Sequence, residues 1–148
     1  MKSLGIDYGD ARIGVACSDA LGMLAFPLET IHRQHGVAPE QHLSLLAKKH
    51  GCQTIVIGLP LHMDGSEGQS AGKVRAFAAS LRELLPPTTE IAFVDERLST
   101  VEAQKQLKAA GKKIRESKGI LDQAAATLIL QDWLDQKNGP ESLLLPPE

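Results

Sequence analysis

Aromatic residues are scarce: one tryptophan, one tyrosine and three phenylalanines occupy five of 148 positions. Ring stacking on nucleobases therefore contributes little to whatever this chain recognises. Cysteine is nearly absent too, and Cys17 and Cys52 lie far apart, each beside apolar strand-like sequence. That excludes a disulfide framework and fits reduced thiols in a core. No apolar run approaches the roughly 20 residues needed to cross a bilayer. The first apolar positions are broken by Asp7, Asp10 and Arg12, which does not fit a signal peptide, so a cytoplasmic location without membrane contact is expected. With 43% hydrophobic and 23% charged residues the length suits one domain. We place it at residues 1–137, followed by a tail at 138–148.

Net charge is also small, at −2, but it is unevenly spread. Between Arg97 and Lys118 stand Arg97, Lys105, Lys108, Lys112, Lys113, Arg115 and Lys118 against Glu102 and Glu116, a segment of +5 on a remainder of −7. A basic segment on an acidic body suits a local polyanion site, whereas its plainest reading is a solvated helix face plus loop.

The chain opens with two short strands, in which Leu4, Ile6 and Tyr8, then Ile13, Val15 and Cys17, alternate with smaller or polar residues. The polar turn between them, with Gly9, makes this a hairpin. Residues 22–31 read as a third strand carrying Pro27. Pro39 opens a helix in which Leu43, Leu46, Ala47 and His50 share a face before Gly51 stops it. The apolar run 54–60 is a central strand, and the loop 61–70 (LHMDGSEGQS) feeds a helix from about Gln69 to Leu85. A further strand at 90–97 ends in charge. The capping box Ser99-Thr100-Val101-Glu102 then starts a helix ending near Gly111. A last helix runs from 117 or 118 to 136, with Leu121, Ala124, Ala125, Leu128, Ile129 and Leu130 as its apolar positions. The order implies an α/β fold: a mixed sheet with an antiparallel three-strand meander plus parallel strands, flanked by helices.

Asp7 sits inside an apolar strand, where a carboxylate must be hydrogen-bonded, paired or metal-bound. Arg12 brings a fixed positive charge nearby. Glu96 stands at the C-terminal end of a strand, the edge where open α/β sheets place ligands. Spacing alone does not separate Asp122, near the start of the last helix, from Asp95, Asp10 or Asp19 as a third acidic partner. Carboxylates gathered at one place demand a cation, and an all-oxygen set suits Mg²⁺ or Mn²⁺. Two such ions about 3.5–4 Å apart activate water and stabilise a leaving oxygen in phosphodiester hydrolysis.

Asp7-Tyr8-Gly9 with Arg12-Ile13-Gly14-Val15-Ala16, Gly58-Leu59-Pro60 with Met63-Asp64-Gly65-Ser66-Glu67-Gly68, Asp95-Glu96-Arg97-Leu98-Ser99-Thr100, and Asp122-Gln123-Ala124-Ala125 resemble the YqgF/RuvX family. This is a ribonuclease H-like group to which Holliday junction resolution and 5′ maturation of pre-16S ribosomal RNA are ascribed. The resemblance spans residues 2 to about 136. It implies that Asp7, Glu96 and Asp122 are catalytic metal ligands for Mg²⁺ or Mn²⁺. It also implies that Arg12 and Arg97, with the 64–68 loop, handle phosphates or shape the site. The basic residues Lys105, Lys108, Lys112, Lys113, Arg115 and Lys118 then clamp a nucleic-acid backbone. The substrate is structured RNA, first of all the 5′ end of pre-16S rRNA, or branched DNA. Ribosomal precursor particles are expected partners and the protein a monomer or homodimer. Two other classes compete. An actin-like ATPase shares the strand, D-x-G, strand opening but needs two lobes, which 148 residues do not supply. A non-catalytic nucleic-acid or ribosome-binding module would keep its function when the acidic residues are changed.

Overall fold

The computed structural model describes residues 1–33, 38–96 and 118–139. The period-two segments at the N-terminus form β1 (Lys2–Tyr8) and β2 (Arg12–Ser18), paired antiparallel with Asp7 opposite Gly14 and Ile6 opposite Val15. β3 (Ala25–His32) extends the meander antiparallel to β2. It starts three residues later than the apolar pattern suggests. Asp19 is the reason: its Oδ1 accepts the backbone N–H groups of Met23 and Leu24, and Gly22 turns the chain at φ +71.

Pro39 begins α1 (Pro39–His50), which Gly51 closes in the left-handed conformation. β4 (Cys52–Leu59) then runs parallel to β1, α2 (Gln69–Leu84) returns, and β5 (Glu90–Asp95) runs parallel to β4. α3 (Lys118–Lys137) completes the described chain. The five strands lie in the order β3-β2-β1-β4-β5, the mixed sheet that the sequence implies. The helix expected at 99–111 and the basic positions Arg97, Lys105, Lys108, Lys112, Lys113 and Arg115 fall outside the described residues. Lys118 enters only as the first residue of α3. No helix among the described residues is long and apolar enough to cross a membrane.

Alternation along the strands divides the side chains between two cores. Leu4, Ile6, Ile13, Val15, Ile55, Ile57 and Leu59 face α1 and α2, where Leu43, Leu46, Val74, Phe77 and Leu81 meet them. On the opposite face Ala16, Val56 and Val94 pack against Ala126, Ile129, Leu130 and Leu134 of α3. The buried seam of α3 is thus narrower than the sequence pattern, and Leu121, Ala124, Ala125 and Leu128 are only half-buried. Cys17 and Cys52 are buried thiols with sulfurs 4.0 Å apart. Their strands flank β1, so their backbones stand about 9–10 Å apart by normal strand spacing, too far for a disulfide.

Candidate active site

The α3 face of the sheet is built from small residues. Gly5, Gly14, Ala16 and Gly58 alternate in phase with Asp7, so the helix lies almost on the backbone. A β-carbon on Gly5 would stand 2.6 Å from Leu130 Cβ, and one on Gly14 would collide with the Asp122 carbonyl. Polar side chains fix the helix along its length. Gln123 Nε2 donates to Thr30 Oγ1 at 3.1 Å, Ala25 N–H donates to Gln131 Oε1 at 2.9 Å, and Asn138 Nδ2 donates to the Gly22 carbonyl at 2.9 Å. Asp122 is thereby set over β2 beside Gly14, the residue that pairs with Asp7.

Glu96 reaches the same place from the other side. Glu96 follows directly on β5, and between β5 and β1 lies Gly58 of β4, paired with Val94 and one step beyond the Ile6–Ile57 pair. With no side chain there, the Glu96 carboxyl lies over the β4 backbone, its Cδ 3.5 Å from where a Gly58 β-carbon would be. It meets Asp7, and the two carboxyls share a hydrogen bond. Burial, then the bond to Asp7 and its charge, push Glu96 up to about 8. Asp7 is also raised, by burial, with the nearby charge of Asp122 adding to it and the bond from Glu96 opposing it. Burial and mutual repulsion thus raise both carboxyls, and the pair holds on to a proton across their hydrogen bond.

Arg12 does not pair with Asp7. Its Nε donates to Asp122 Oδ2 at 2.7 Å, with side-chain exposures of 32% and 20%. The three predicted carboxylates thus gather at one edge of one face. Among the described residues, however, no three potential ligands already surround a common ion position. The donor set nevertheless fits a hard divalent cation: it is all carboxylate oxygen, partly dehydrated, and two of its members share a proton that an ion would replace.

The loop between β4 and α2 is a built turn. Ser66 donates from both its backbone N–H and its hydroxyl to Asp64 Oδ1, at 2.9 and 2.6 Å. Gly65 takes φ +88, and the His62 ring occupies the space a Gly68 side chain would need. Arg75 grips Glu67 through Nε and Nη2 at 2.6 Å each and lies over Phe93 of β5, 4.9 Å from its centroid. The turn between β1 and β2 is held by Arg33, which donates to the Gly9 carbonyl at 3.0 Å and stacks over Tyr8. Motif reading alone missed the part played by Gly14 and Gly58. The signal was present as small residues in phase with Asp7, but their purpose depends on which helix lies over them.

A family model described as RuvX, Holliday junction resolvase, matches residues 1–136. A Crocosphaera subtropica protein named "Putative pre-16S rRNA nuclease" is 46% identical over 137 residues, covering 93% of this chain and 94% of that one. One of the same name from Halalkalibacterium halodurans is 44% identical, covering 93% and 98%. Among solved structures, Thermus thermophilus RuvC in complex with Holliday junction substrate aligns with a TM-score of 0.54 at 15% identity, over 94% of this chain and 96% of that one. The fowlpox virus Holliday junction resolvase aligns at 0.54 and 10% identity, over 93% and 99%. These two likenesses show a common, ribonuclease H-like fold. On the match to residues 1–136 and the identity to its curated relatives, the chain belongs to the RuvX family.

Proposed function

We propose that this protein is a Mg²⁺- or Mn²⁺-dependent endonuclease that hydrolyses phosphodiesters in structured nucleic acid, maturing the 5′ end of pre-16S rRNA. The observation that carries this reading is the meeting of Asp7 and Glu96 over Gly58, with Asp122 beside them on the same sheet edge. The names of the relatives support the substrate. Asp7, Glu96 and Asp122 are the residues that hold the ions. When bound, such ions lower the pKa of a water and stabilise the departing 3′-oxygen, leaving 5′-phosphate and 3′-hydroxyl ends. Binding of an ion would displace the proton that Asp7 and Glu96 hold between them, so that both carboxylates would serve as anionic donors. Arg12, Arg97, Lys105, Lys108, Lys112, Lys113, Arg115 and Lys118 supply backbone contacts, so recognition is by shape and charge. In this reading residues 1–137 are the catalytic domain and 138–148 an appended tail.

A second substrate, branched DNA, is favoured by the family description and by the fold shared with a RuvC bound to a Holliday junction. The test is cleavage of a labelled RNA spanning the 5′ end of pre-16S rRNA and of a four-way DNA junction, with Mn²⁺, with EDTA and with Asp7→Asn. We expect Mn²⁺-dependent cutting of the RNA and a loss of at least about 100-fold in the variant. Cutting of the junction alone moves the substrate to DNA. Equal cutting by Asp7→Asn refutes the carboxylate mechanism.

A further inference from the structure

Two of the three site carboxylates already face each other, whereas the third is engaged elsewhere. Asp122 is drawn to Arg12 by a charge-assisted hydrogen bond of 2.7 Å between half-buried groups, where an ion pair is screened less than on an open surface. The backbone of Asp122 has no freedom to slide, because its carbonyl fills the space left by the missing Gly14 side chain and Gln123 is tied to Thr30. Any rearrangement is therefore confined to the two side chains. We infer that Arg12 is an internal counter-ion that holds Asp122 in the cation-free protein and surrenders it to a divalent cation, the freed guanidinium then turning to the substrate phosphate.

This rests on the metal-dependent reading above. It accounts for the absence, among the described residues, of a ready-made group of three ligands although three carboxylates share one edge. It also gives one arginine two successive partners, a carboxylate and then a phosphate, both matched to its planar fork. Arg12 is in this sense a positioning residue, acting through Asp122.

The test is Mn²⁺ affinity, read by electron paramagnetic resonance of free Mn²⁺ in the absence of nucleic acid, for wild type, Arg12→Gln, Asp122→Asn and the double variant. Releasing Asp122 from a charged hydrogen bond should tighten Mn²⁺ binding about tenfold in Arg12→Gln. In the Asp122→Asn background the same arginine change should have no effect. Equal tightening in both backgrounds would mean that Arg12 acts only through its general field, and unchanged or weaker binding in Arg12→Gln would mean that it does not compete; either overturns the inference while leaving the metal site standing. Wild type that binds no Mn²⁺ removes the metal-dependent reading and this inference together. Should Arg12→Gln fail to fold, Arg12→Lys keeps the charge without the planar fork and should shift affinity in the same direction by less.

Discussion

At the scale of single residues, the Asp7–Glu96 pair makes stability depend on pH in an unusual direction. Glu96 binds its proton up to about pH 8 in the folded protein, against an ordinary 4.5. Between those values the folded state holds a proton that the unfolded chain has released, so stability falls as pH rises through the window and levels off above it. Asp7, raised from its ordinary 3.8, adds to the fall. The melting temperature in EDTA should therefore drop from pH 5 to pH 8, and Glu96→Gln should flatten most of that drop. Mn²⁺ should raise the melting temperature most at the alkaline end, where no proton has to be displaced. A wild-type curve that climbs with pH over this range would contradict the buried pair.

At the scale of elements, the decisive contact is α3 lying on a strip of glycine and alanine. Gly14→Ala forces the helix backbone away from β2 just where Asp122 stands, which should cost about 1–3 kcal/mol of stability and, separately, lower cleavage by the folded fraction. Gly51→Ala is the control. Its α1 cap adopts φ +66 with nothing within 4 Å of an added β-carbon, so backbone strain alone should cost about 1 kcal/mol. Urea unfolding of both variants together with their cleavage rates separates the effects. Gly51→Ala should cut at the wild-type rate when folded, and Gly14→Ala should not.

At the scale of the whole molecule, the sheet keeps two cores that serve different ends. The larger one, against α1 and α2, supplies much of the apolar burial; the smaller one, against α3, sets the position of the acidic residues. Leu43 is fully buried in the former, so Leu43→Ala should cost about 2–5 kcal/mol in urea unfolding. The turnover of the folded protein should be unchanged, because Leu43 packs in the core on the face of the sheet opposite α3 and Asp122. A fall in turnover at a denaturant-free temperature well below melting would show that the two faces are coupled through the sheet.

Much of this was legible from residues alone. Period-two alternation marked β1 and β2, Pro39 and Gly51 bounded α1, and the β-branched run before Leu59 announced a strand covered on both faces, because these signals act within a few residues of chain. The oddity of a carboxylate at Asp7 was equally plain, and the motifs picked out Glu96 and Asp122. What the sequence by itself determined was thus the elements, their order and the residues whose chemistry needs explaining. Only the tertiary structure decided that Gly58 leaves the gap across which Glu96 meets Asp7, that Gly14 seats Asp122, and that Arg12 pairs with Asp122 rather than with the aspartate nearer in the chain. Those contacts join positions up to 110 residues apart. Their energies depend on distances of a few ångströms between strands and a helix, and local pattern carries no record of such distances until the sheet order β3-β2-β1-β4-β5 is laid down.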